Sequence, residues 1–429
     1  MVYPASTIVP GLPIHAPNQL GLGPTRSQES LLAVWRGMAG LAGASSVNSA
    51  FQRTSPSHRG LRLGVLMPTP DQLQLHSIQR DVEFVGRLVG SLQRPGTSSL
   101  VGSVAYFCMF PFMSLFVHES EAKLSPLVPQ VSGLMSKSAK DVVARSRHSL
   151  KLFDDTKRGL AGQLAYFHDE IEPAHRRNFL RPIPWPWARD LGVYSYEGTP
   201  ISTTHVATFV IGYEPQRLFT KTTSVEIRSI AEEYGRYFAT LGVTLDPQAL
   251  SFASSLDATR LTHEDHRSER YYRTIFNGPG TPDVNALLNV FRVMVNFAAN
   301  VLPLDAASES WETIFKIRFL TLYHVLTSLA TLRGSQRGDM TAKSVAPMNT
   351  ILDTADAGLL TSPPIRPLRN TLMHYGVDPR IPTAALSLQA PLYGLVPACL
   401  PGHDDATIDA AVARQLELTA ATMNQWAGR

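Results

Sequence analysis

Four side chains able to bind and turn over a phosphodiester recur at helical spacing within TSPPIRPLRNTLMHYGVDP, residues 361–379. With Arg366 set at zero on a wheel, Arg369 falls at about −60°, Asn370 at about 40° and His374 at about 80°. Two guanidiniums, an amide and an imidazole thus share an arc of about 140°. That set matches the needs of metal-free RNA cleavage. His374 can move a proton at the 2′-hydroxyl or the leaving oxygen. Arg369 can neutralise charge building on the phosphate, with Arg366 as a second contact. Asn370, one turn before His374, can orient the ring or bind the phosphate itself.

The elements that must hold this arc are helical. Prolines lead into the segment, Gly376 stands where a C-terminal cap would fall, and Pro379 follows. From about Ser224 onward, apolar residues recur at three- and four-residue spacing over 224–241, 246–275, 283–301, 312–333, 345–360, 364–375 and 405–426. Asp283 after Pro282, and Asp404 or Asp405, mark helix starts. On the 312–333 helix, His324 shares a polar strip with Thr321 and Ser328. It either lines the same groove as His374 or bonds between helices. Arg318 offers a further phosphate contact or a salt bridge.

Arg369-Asn370-Thr371-Leu372-Met373-His374 resembles the R-x4-6-H motif of HEPN domains, in the form R-N-x-x-x-H. Four Arg/His pairs fit the loose spacing: Arg53/His58, Arg260/His266, Arg318/His324 and Arg369/His374. Only the last also has Asn after Arg and four intervening residues. Tyr375-Gly376 resembles the family's usual continuation, and Trp311–Arg333 resembles the helix against which the motif helix packs. The resemblance covers 224–429. It implies an antiparallel helical bundle of the kind found in bacterial toxins and antiviral effectors, with two protomers joining their motifs. The implied reaction is RNA cleavage through the 2′-hydroxyl, with Arg369, Asn370 and His374 catalytic and Arg366, Tyr375, Arg318 and His324 binding substrate. It also implies RNA and a second copy of the chain as partners, and no metal or cofactor. The family also contains catalytically silent members that bind RNA or protein.

The other signals are weaker. The chain has no P-loop, no dinucleotide fingerprint, no H-E-x-x-H and no G-x-S-x-G. Three His/carboxylate clusters, at 168–175, 263–266 and 403–405, read as charged surfaces. Glu172-x-x-His175 has the spacing of a carboxylate-bridged metal pair but lacks further ligands. Residues 96–117 carry no charge, with Pro111 in the middle, and are expected to form a buried helix or strand pair in preference to a membrane span. Residues 184–215 read as short strands and turns. Cys108 and Cys399 allow one disulfide at most and fit no zinc spacing, so a reducing, cytoplasmic setting is expected. No secretory signal is visible at the N-terminus.

Arginine outnumbers lysine 31 to 8 in a chain of net charge +4. The whole excess lies in residues 1–70, so RNA contact must come from local placement of arginines. The expected organisation is mainly α: a tail over 1–70 that is disordered or loosely packed, a region of mixed helix and short strands over 71–215, and the helical HEPN-like domain over 216–429.

Overall fold

The computed structural model describes residues 70–127, 131–154, 158–180, 189–243, 245–277, 281–305, 307–335 and 342–428. The expected N-terminal tail lies outside them, apart from Pro70. The fold is mainly α, with one small sheet.

Helices α1 (Pro70–Leu92) and α2 (Ser99–Leu124) open the fold, followed by α3 (Lys137–Ser149). Ser98 caps α2, accepting from the Val101 amide. From there to Val117 no charge interrupts the helix, and apolar side chains leave it on every side. A helix apolar all round must be covered all round. Accordingly α2 is packed by α1, α3, a short α6 (Thr204–Val210) and α7 (Lys221–Thr240). Leu115, Phe116 and Val117 are at most 1% exposed. Each fully buried side chain of this size contributes about 1.5–3 kcal/mol. The uncharged 96–117 stretch is thus a core helix, 89% buried by protein over its most apolar window. A second helix, within Pro282–Leu304, is also long and apolar enough to cross a membrane and is 72% buried.

Between α3 and α6 the chain runs through α4 (Gly159–Ala165), a π turn (Tyr166–Ile171) and α5 (Glu172–Phe179). A hairpin follows, β1 (Leu191–Tyr196) and β2 (Thr199–Thr203), in the region expected to hold short strands. Its two turn residues, Glu197 and Gly198, have φ of 50° and 76°, the pair of positive values that matches strand twist in a tight hairpin. The third strand, β3 (Leu261–His266), completes the antiparallel order β2-β1-β3, with Val193 opposite both Thr203 and Glu264.

That strand corrects the helix expected over 246–275. His263 and Asp265 share one face, and His266 and Glu264 the other, each pair 3.2–3.4 Å apart at two-residue spacing. Polar residues fill both faces, so no apolar period announces a strand.

The remaining helices of six or more residues are α8 (Ser268–Thr274), α9 (Pro282–Asn300), α10 (Trp311–Gly334), α11 (Ala342–Leu352), α12 (Ala355–Leu360), α13 (Arg366–His374) and α14 (Asp405–Trp426). Thr281 caps α9 with Pro282 in its first turn, and Asp404 caps α14 by accepting from the Thr407 amide at 2.8 Å. The single helix expected over 345–360 is broken where Thr354 caps α12. Helix α10 packs against α1, α9, α11, α13 and α14. One continuous apolar core therefore runs from Leu73 to Trp426. This cluster spans the boundary expected at 215/216, and α1 and α2 reach α10 and α13 across it.

Candidate functional site

Helix α13 begins with Pro367 in its first turn, where a missing amide hydrogen costs nothing. It buries Leu368, Thr371, Leu372 and Met373. It ends at Tyr375, whose φ of 57° is left-handed. The terminating residue is thus the tyrosine, one place before the expected Gly376. The glycine has a different use: a Cβ there would sit 3.0 Å from Lys123 Nζ, so its absence makes room for a lysine beside the helix end. That position suits a cation, since helix C-termini carry partial negative charge.

The predicted arc is split. Met373, between Arg369 and His374 on the wheel, is fully buried, and the two polar ends lean on different neighbours. The Arg369 guanidinium lies 5.2 Å from the Tyr323 ring centroid and donates to Asn370 Oδ1 at 3.0 Å. Asn370 in turn donates to Asp378 Oδ2 at 2.9 Å. Asp378 accepts two side-chain bonds from Arg380, each 2.8 Å, which hold its carboxyl well below the usual carboxylate range. Arg366 is exposed at the helix start.

His374 sits at the other end with 41% of its side chain exposed, and its Nδ1 lies 3.0 Å from Glu119 Oε2 at the end of α2. A carboxylate only accepts, so Nδ1–H is the donor in this bond, and the same Nδ1 lies 3.4 Å from the Arg147 guanidinium. Arg147 of α3 forms an ion pair with the same carboxylate, and both partners are less than a tenth exposed. Burial works to raise the Glu119 pKa. The hydrogen bond from His374 and the charge of Arg147 outweigh it, leaving the carboxyl more acidic than usual. His118, alongside, is made harder to protonate by burial and by Arg147. The result is a half-open imidazole oriented by a buried carboxylate, with Lys123 and Arg147 nearby. Such an imidazole is competent for general acid–base chemistry.

Three residues expected to bind substrate are placed elsewhere. Tyr375 is buried: its hydroxyl donates to Asp81 Oδ2 at 2.5 Å, and Lys316 Nζ lies 4.0 Å from its ring centroid. Lys316 also pairs with Asp81 at 2.6 Å, and Thr313 donates to Asp81 at 2.8 Å. Tyr375 therefore anchors α13 to α1 and α10. His324 is fully buried, its ring edge-on to Tyr323. Arg318 points to Asp409 of α14, 3.8 Å away. His324 and Arg318 lie on the middle of α10, which other helices cover, and Tyr375 follows α13 into the same interior.

Glu119, Arg147 and Lys123 were not foreseen. Their sequence signal was slight: His118-Glu119-Ser120-Glu121 is the first charged cluster after the uncharged stretch. The cluster at 168–175 also differs from expectation. His168 is exposed and 3.1 Å from Asp283, but Glu172 and His175 are buried. His175 bonds Thr208 at 2.8 Å and faces His205 at a ring distance of 4.3 Å. Burial, reinforced by Asp283, pushes Glu172 up to about 7. Among the described residues no three His, Cys, Asp or Glu side chains are grouped to hold a metal. Both cysteines are free.

No protein family model, curated protein or solved structure matches this chain.

Proposed function

We propose that the end of α13 and the end of α2 form the site of a metal-independent endoribonuclease, of the kind found in cytoplasmic bacterial toxin or antiviral systems. The observation that carries this reading is the half-exposed His374 ring, held through Nδ1 by the buried Glu119 carboxylate. Its Nε2 takes the proton of an RNA 2′-hydroxyl, O2′ closes on phosphorus, and the bond from phosphorus to O5′ breaks. The products are a 2′,3′-cyclic phosphate and a 5′-hydroxyl. Arg369 and Arg366 offset charge on the phosphoryl oxygens, and Asn370 holds Arg369 in place. Glu119 acts as a positioning residue. A homodimer brings a second imidazole to protonate the departing oxygen.

The test is RNA cleavage by the purified full chain in EDTA. His374→Ala lowers the rate by about 10²–10⁴-fold, the usual contribution of a general base, and Arg369→Ala lowers it comparably. Wild-type cleavage by both variants overturns the proposal. A second reading, a catalytically silent module that binds RNA or protein, is favoured by the way Asn370 is turned away to Asp378. RNA binding without cleavage, in EDTA and with divalent ions alike, selects it.

A further inference from the structure

A cavity of about 100 Å³ opens between the C-terminal end of α3, α4 and the π turn. It has room for a tetrahedral oxyanion but not for a nucleoside, since ordinary small-molecule pockets enclose several hundred Å³. Its lining includes Arg145, Arg158, Tyr166 and Gln163. Arg145 Nε donates to the Gly212 carbonyl at 2.6 Å, which fixes the guanidinium at the cavity wall. The Arg158 guanidinium lies 3.8 Å from the Tyr166 ring centroid. Arg147, Arg260, Arg380 and Arg414 each close on a carboxylate. Among the described residues, no carboxylate closes on Arg145 or Arg158.

Two guanidiniums that line one concavity, with no ion pair to a carboxylate among the described residues, provide forked donors matched to a phosphoryl group. Gln163 adds a discriminating element. It is 2% exposed, its amide nitrogen donates to the Leu152 carbonyl at 3.2 Å, and its Oε1 has no partner. A buried acceptor of this kind requires a donor. Hydrogen phosphate, or a phosphate monoester in its singly charged form, carries a hydroxyl that can supply one. Sulfate at neutral pH carries none. The adjoining π turn is a rare element found often at functional sites.

We infer that this cavity binds a protonated phosphate group, either the free anion or the terminal phosphate of a nucleotide chain. Binding here stands apart from RNA cleavage at His374. Titration calorimetry on the full chain tests it with inorganic phosphate, sulfate, and a dinucleotide with and without a 5′-phosphate. Phosphate binds saturably, and sulfate binds about tenfold more weakly or worse. Arg145→Gln and Arg158→Gln each weaken phosphate binding by about tenfold or more. Gln163→Leu closes the gap between phosphate and sulfate. Because both arginines are exposed, melting curves of the variants stay at the wild-type temperature. Tighter binding of the 5′-phosphorylated dinucleotide identifies the source as a nucleic-acid end, and equal or weaker binding identifies the free anion. The inference is overturned by the absence of saturable binding of any phosphate ligand, or by unchanged affinity in the Arg145→Gln/Arg158→Gln double variant.

Discussion

His374 and Tyr375 are neighbours in the chain, yet each joins a charged cluster of opposite character. His374 meets Glu119 and Arg147 with two-fifths of its side chain in solvent. Tyr375 meets Asp81 and Lys316 with almost none of its surface in solvent. The left-handed backbone at Tyr375 sends the two side chains apart. Solvent access decides what each cluster can do. Charges closed from water have satisfied their partners and can only hold helices together. An imidazole with one nitrogen bound and the other open can exchange a proton with an incoming molecule.

The sharpest way to break this contrast is Lys316→Met. It leaves the Asp81 carboxylate buried without its counter-charge, and loss of one partner of such a pair costs about 3–5 kcal/mol. Urea unfolding of the variant measures it, and a loss below about 1 kcal/mol would make the inner cluster no more structural than a surface pair.

A smaller effect is expected at acid pH from the outer cluster. Glu119 has a folded pKa below its unfolded value, so its contribution to stability is complete above pH 4.5 and is lost as pH falls through the folded pKa. Unfolding curves between neutral pH and pH 3 should show this acid limb, worth about 1.5–3 kcal/mol for hydrogen bonds to a charged group. The limb should be shallower in His374→Ala, which lacks one of those bonds.

The smallest effect belongs to His374→Ala at neutral pH, where a half-exposed pair contributes under about 1 kcal/mol. A variant that loses cleavage while keeping its melting temperature would place His374 in chemistry. One that loses both would place it with Tyr375 as an anchor.

The helical half was legible because its signals are local. Helix α14 follows a capping aspartate and a sustained apolar period, and its bounds match the expected 405–426. Helices α9 and α10 are similarly plain. Strand β3 was not legible, since His263, Glu264, Asp265 and His266 show no apolar alternation to reveal the pairing with β1. At the candidate site, the helix bearing Arg369 and His374 could be read from its prolines and wheel. Its orienting carboxylate could not, because Glu119 lies 255 positions before His374 and no periodicity spans that distance. The burial of Met373, Tyr375 and His324 was equally hidden, because it depends on contacts distant in sequence, such as Tyr375 with Asp81 of α1.

The all-round apolar character of α2 has a consequence for biosynthesis. This helix is complete at Leu124, but α10 and α13, which supply part of its cover, begin only at Trp311 and Arg366. At ribosomal rates of about 5–20 residues per second, the gap of about 190 residues to Trp311 lasts about 10–40 s. Until then α2 is covered by α1, α3, α6 and α7 alone, and yield in the cell depends on how well chaperones cover its remaining apolar face until the second half emerges.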